Sequence, residues 1–185
     1  MTSSIIRPAT AADLPGIKAI YDHQVEHAVS TFDLEAPPLS YWQTRLASTD
    51  VGDHLVVAED GDGDGDGSGH GDGSGGGVLG YAYSSTYRPR PAYARTRETS
   101  VYLASEAGGR GLGRALYDDL LARLRSDGVH TVLAVVALPN PVSEALHRAC
   151  GFTQVGVLPE VGHKLGRWID TGLWALRLEV AADER

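Results

Sequence analysis

The chain has 185 residues and a mass of 19.6 kDa, enough for one ordinary hydrophobic core. Hydrophobic residues make up 42% and charged residues 22%, so most of the chain is expected to fold. The net charge of −8, from 24 acidic against 16 basic residues, disfavours a nucleic-acid surface and leaves room for a local anion cradle.

In chain order the pattern alternates. Ser4–Arg7 is a short strand candidate. Thr10 precedes a helix, with Asp13 three residues on as a near capping box, and Leu14, Ile17, Ala19, Ile20 and Val25 keep helical spacing. After Pro37-Pro38, Leu39–Ala47 reads as a shorter helix, and His54–Glu59 and Val78–Ser85 read as strands. Between them lies Gly61–Gly77, with ten glycines, four aspartates and no apolar residue. It is an inflated loop, which costs little because closure entropy grows only logarithmically with length. It lacks the apolar residue per turn that a calcium-binding repeat needs.

Thr96–Ala104 is a strand with Val101 and Leu103 on one face. Gly111–Arg125 is the clearest helix, striped by Leu112, Ala115, Leu116, Leu120, Leu121 and Leu124 and ended by Gly128. Thr131–Leu138 reads as a buried strand, Pro141–Cys150 as a short helix, and Phe152–Leu158 and Leu173–Val180 as late strands. The order β α α β β β α β α β β is an α/β layout around one mixed sheet, a single domain over 1–185 with the insertion at 61–77. No apolar run approaches the roughly 18–20 residues of a membrane span. The N-terminus lacks a secretory pattern, and the single Cys150 excludes an internal disulfide. A cytoplasmic location is expected.

Gly108-Gly109-Arg110-Gly111-Leu112-Gly113-Arg114 lies between a strand and the strongest helix. Glycines permit a sharp turn and close approach, and the free amides and dipole of a helix start favour an anion. On this stretch alone, a diphosphate cradle and a plain chain reversal stand equal. Walker A is excluded for want of its lysine. A dinucleotide fold is disfavoured because the glycines come midway along the chain. His23-x-x-Glu26-His27 matches an inverted zinc-protease pattern, but no third ligand is evident, so no metal is expected.

These residues resemble the GNAT N-acetyltransferases. Arg110-Gly111-Leu112-Gly113-Arg114-Ala115 matches their Q/R-x-x-G-x-G/A pattern, after the strand segment Ser100-Val101-Tyr102-Leu103. The phosphinothricin and methionine sulfoximine N-acetyltransferase branch is the closer match. It is carried by Tyr93-x-x-Thr96-x-Glu98-x-Ser100-Val101-Tyr102, by Leu138-Pro139-Asn140, and by Gly162-His163-Lys164-Leu165-Gly166-Arg167-Trp168-Ile169-Asp170. The likeness runs from about Ile5 to Leu178. It implies a mixed, mostly antiparallel sheet splayed between strands four and five and flanked by about four helices. It implies acetyl-CoA in the splay, with the pantetheine arm along Val101, Tyr102 and Leu103. The pyrophosphate would rest on Gly109, Arg110, Gly111, Leu112, Gly113 and Arg114, with Asn140 and Ser143 opposite. The implied partner is a small amino-acid-like acceptor, and homodimers are common in the branch.

Acetyl transfer to an amine needs a base for the ammonium proton, a donor for the oxyanion and a proton for the thiolate. From spacing alone, Glu98 is an exposed strand glutamate paired with Arg95 or Arg97; by the resemblance it is the general base, direct or through water. His147, four residues after Ser143 on one helix face, either caps carbonyls or shuttles a proton. By the same resemblance Phe32, Tyr93, Arg95, Thr96 and Lys164 belong to the acceptor site. Direct transfer leaves Cys150 a core residue. The rival functions are a GNAT enzyme for a polyamine or a protein N-terminus, and a non-catalytic acetyl-CoA-binding module.

Overall fold

The computed structural model describes residues 4–61 and 77–179. The interior of the Gly/Asp insertion, 62–76, lies outside the described residues. Strands β1 (Ser4–Pro8), β2 (Leu55–Asp60), β3 (Val78–Thr86), β4 (Thr96–Leu103), β5 (Thr131–Leu138), β6 (Thr153–Lys164) and β7 (Arg167–Arg177) form one sheet in the order β1-β2-β3-β4-β5-β7-β6. All neighbours are antiparallel except β4 and β5. Helices α1 (Leu14–His27), α2 (Leu39–Leu46), α3 (Leu112–Ser126) and α4 (Pro141–Ala149) complete the described elements, with three short 3-10 turns. The element order is the one expected from the sequence.

Each face of the sheet carries its own core. On one face the stripe of α3 buries Leu112, Leu116, Tyr117, Leu120, Leu121 and Leu124 against Val56, Val132, Ala134 and Trp174. A side chain such as Leu120, fully buried, contributes about 1.5–3 kcal/mol through loss of apolar surface to water. On the other face α1 and α2 close over Val57, Tyr81 and Leu55 with Ile17, Tyr21 and Trp42. The helix α3 stops where expected. Gly128 takes φ of 73°, and the Val129 N–H reaches back to the Leu124 carbonyl, closing the helix end as a glycine in the left-handed region allows.

Two boundaries differ from the sequence reading. A 3-10 turn, Ala11–Asp13, precedes α1, which begins at Leu14 with Pro15 in its first turn. The late strands are longer than expected and join in one hairpin, Lys164 facing Arg167 across Leu165 and Gly166. Both turn residues have positive φ, 50° and 73°, the pairing that suits a two-residue hairpin. Two register shifts, between Gln154 and Gly156 and between Leu158 and Gly162, break the alternation by which a strand is read from sequence.

Candidate active site

The parallel pairing of β4 with β5 is short: Thr96 faces Thr131, Arg97 faces Val132, and Glu98 faces Leu133. Beyond Glu98 the two strands part. Strand β4 continues to Leu103 bonded only to β3. The Ala104 N–H bonds to the Leu79 carbonyl on the β3 side, while the Arg95 carbonyl accepts from His130 and Thr131 on the β5 side. Antiparallel alternation therefore turns the amides of Ser100 and Tyr102 toward β3 and those of Val101 and Leu103 into the gap. A chain-like ligand with amide groups meets there the exposed edge of a strand.

The gap is a cleft of about 270 Å³, bordered by Val101, Tyr102, Leu103, Tyr117, Asn140, Ser143 and His147 among others. Beyond its rim stands the start of α3. Gly109 and Gly111 have φ of 75° and 78°, a conformation glycine adopts without strain. The first intrahelical bond runs from Ala115 N–H to the Gly111 carbonyl, so the amides of Leu112, Gly113 and Arg114 have no partner within the helix. The Leu112 side chain is buried in the core, and only its backbone is available to a ligand. A Cβ at Gly113 would come to 3.0 Å from a Leu146 side-chain methyl, a tight contact that glycine avoids. The two arginines are already paired: Arg110 with Asp60 at 2.9 Å and Arg114 with Asp118 at 3.1 Å. What the cradle offers outright is oriented N–H groups.

Asn140 caps α4, its side-chain oxygen accepting from the Ser143 N–H at 3.1 Å. His147 is buried among Tyr117, Phe152 and Trp174. Its Nδ1 lies 2.7 Å from the Ser143 carbonyl, which can only accept, so the proton sits on Nδ1. Nε2 then accepts from the Tyr117 hydroxyl at 2.9 Å. Burial lowers the affinity of this imidazole for a second proton and so favours its neutral form. Tyr117, which the sequence reading did not name, borders the cleft beside His147 and donates to it. Tyr117→Phe is expected to leave Nε2 unpaired and to cost about 1–3 kcal/mol of stability, read from denaturant unfolding.

Glu98 lines a second, smaller pocket of about 190 Å³ with Tyr21, Thr31, Phe32, Tyr83, Ser100, Tyr102 and Thr171. Ser30, Ser100, Tyr102, Val135 and Ala137 border both spaces, so the two meet beside the carboxyl. Burial raises the pKa of Glu98. Arg97 is turned the other way, toward Asp53 and the Val51 carbonyl. Tyr21 donates to Asp33 at 2.7 Å and lies 2.7 Å from the Thr31 hydroxyl.

Of the remaining residues expected at the acceptor site, Phe32 borders this pocket, whereas Tyr93, Arg95, Thr96 and Lys164 border neither space. Thr96 shares a strand face with Glu98, and Tyr93 packs against Tyr87. Lys164 is only 4% exposed. Tyr21, Tyr83 and Thr171 are among the pocket residues the sequence did not single out. The His23 and His27 rings lie 4.7 Å apart with their planes tilted by 58°, and His23 bonds to Ser105. Among the described residues no three His, Cys, Asp or Glu side chains gather as a metal set, and no helix is long and apolar enough to cross a membrane.

A sheet parted to expose one strand edge, with oriented amides beyond one end and a half-buried carboxyl at the fork, defines an acyl-transfer fold. Residues 17–152 match the Acetyltransferase (GNAT) family, and the chain belongs to it. A phosphinothricin N-acetyltransferase of Alcaligenes faecalis is 41% identical over 91% of this chain and 79% of its own length. An L-methionine sulfoximine/L-methionine sulfone acetyltransferase of Pseudomonas paraeruginosa is 35% identical over 96% of both chains. A crystal structure of a GNAT superfamily phosphinothricin acetyltransferase from Sinorhizobium meliloti, in complex with AcCoA, superposes with a TM-score of 0.84 at 37% identity, covering 96% of this chain and 89% of that one.

Proposed function

We propose that this N-acetyltransferase moves the acetyl group of acetyl-CoA directly to the α-amino group of a small amino acid of the phosphinothricin, methionine sulfoximine or methionine sulfone type. One observation carries the reading: β4 and β5 part immediately after Glu98, so a carboxyl stands where the coenzyme cleft and the smaller pocket meet. The pantetheine amides pair with Val101 and Leu103, beside Tyr102. The diphosphate rests on the amides from Gly109 to Arg114, and Asn140 and Ser143 border the arm from α4.

Glu98, its proton affinity raised by burial, takes the ammonium proton directly or through a water. The freed amine attacks the thioester carbon, a gap-facing amide stabilises the oxyanion, and the adduct collapses with cleavage of the C–S bond, the proton shed by the acetylated nitrogen passing to the departing thiolate. His147 acts through Tyr117, whose hydroxyl it orients at the cleft wall. Phe32 walls the acceptor, and Tyr93 and Arg95 precede β4 while Thr96 begins it, on the side of the fork where β4 and β5 are still paired. The reaction needs no metal, no nucleic acid and no membrane. We propose a cytoplasmic homodimer as its working form.

The test is an acceptor panel scored by release of free thiol from acetyl-CoA, run with a chelator present. Methionine sulfone, methionine sulfoximine and phosphinothricin are expected to be acetylated with kcat/KM at least about 100-fold above spermidine or an alanyl peptide, the discrimination a polar-group-reading site provides. Preference for the polyamine or the peptide overturns the acceptor assignment. Thiol release with none of them, despite tight coenzyme binding, reduces the protein to a binding module.

A further inference from the structure

Strand β6 lies at the sheet edge, and along its twelve residues only Gly162 and Lys164 are buried. They alternate onto one face, and what covers them is the segment between α1 and α2. The Lys164 ammonium donates to the Thr31 carbonyl at 2.8 Å and toward the Gln24 carbonyl at 3.4 Å. A Cβ on Gly162 would lie 2.4 Å from two atoms of the Phe32 ring, closer than carbon atoms approach, so that ring seats on Gly162 because glycine has no side chain. The segment is held from its other side by Tyr21, through Thr31 and Asp33, and the Ser30 hydroxyl donates to the Gln24 side chain at 2.7 Å.

Residues 29–32 all line the Glu98 pocket. The face of β6 therefore decides where one wall of that pocket stands. An ammonium committed to two carbonyls has little left for a substrate carboxylate: it carries three donors, and its side chain is withdrawn from both spaces. Burial of that ammonium, which lowers its pKa, is a cost the fold carries to fix this wall.

We infer that Lys164 and Gly162 are positioning residues that dock the Val29–Phe32 wall of the acceptor pocket onto β6, and that Lys164 is not the ligand of the acceptor carboxylate. The inference rests on the proposed acceptor site and revises one residue of it. It requires that disturbing the dock changes acceptor binding, whatever group the acceptor carries, and spares the coenzyme.

The experiment measures KM for methionine sulfone and for methionine sulfone carboxamide, together with the acetyl-CoA dissociation constant, in wild type, Lys164→Met, Gly162→Ala, Phe32→Ala and the Phe32→Ala/Gly162→Ala double variant. Lys164→Met and Gly162→Ala are expected to raise both acceptor KM values by the same factor, about tenfold, with kcat lowered less than threefold and coenzyme affinity unchanged. Gly162→Ala is expected to have no further effect once Phe32 is alanine, because the steric conflict has been removed. A Lys164→Met effect confined to the acid, absent for the carboxamide, makes Lys164 a carboxylate ligand and overturns the inference. Unchanged acceptor KM in Gly162→Ala, with thermal stability retained, overturns it as well. Wild type that acetylates neither compound refutes the acceptor assignment itself, a separate outcome read before any variant is compared.

Discussion

Glu98→Gln is expected to lower kcat/KM for the amino-acid acceptor by about 10²–10⁴-fold, the range of a lost general base, with coenzyme affinity unchanged. The substitution keeps the shape of the side chain and removes only its capacity to take a proton. Because burial raises the Glu98 pKa, the acid limb of the wild-type kcat/KM profile should lie above the range of an exposed glutamate. Below that limb the carboxyl is protonated and cannot act, so activity falls as pH falls; in the glutamine variant this limb should vanish. Stability runs in the opposite sense. A carboxyl whose folded pKa is raised contributes stability fully below its unfolded pKa and loses it as pH rises through the folded value. At neutral pH the wild type therefore carries the cost of a half-buried carboxylate, and Glu98→Gln should melt no lower than wild type. A variant that melts lower while retaining activity would mean that Glu98 is a structural residue.

A proline placed at two neighbouring positions of β4 should give opposite results. At Val101 the amide faces the gap, so Val101→Pro removes no bond of the β3 ladder; the protein should fold and bind acetyl-CoA about tenfold or more weakly, having lost one donor along the arm. At Tyr102 the amide faces β3. Tyr102→Pro removes a ladder bond in the sheet interior at a cost of about 3 kcal/mol or more, and also removes a ring packed against Tyr21 and Tyr81. It should yield little folded protein. Circular dichroism with coenzyme titration by calorimetry separates the two. Full coenzyme affinity in a folded Val101→Pro would show that the arm does not run along this strand edge.

Parts of this site were legible in the residues because their signals are local. The leucine stripe of α3, the glycines before it and the apolar run of β5 each fix a local geometry through periodicity or backbone freedom, and they came out in place. The β6–β7 hairpin did not, since its bulges break the alternation and β6 lies largely exposed at an edge. Tyr117 was not singled out, because nothing local reveals that its hydroxyl meets a histidine thirty residues on. Lys164 is the sharpest case. Its partners are backbone carbonyls 133 and 140 residues away, and a carbonyl carries no mark of side-chain type, so the lysine looked free to meet a substrate.

By itself the sequence determined the order of strands and helices and the glycine-led start of α3, matters of short-range pattern, while Glu98 stood out only through the family resemblance. Only the tertiary structure decided that the sheet parts at that carboxyl, that His147 is buried and bonded to Tyr117, and that Lys164 bonds to the carbonyls of Gln24 and Thr31. Those follow from register, burial and hydrogen-bond direction between segments distant in the chain, which exist only once the two cores have closed on the sheet.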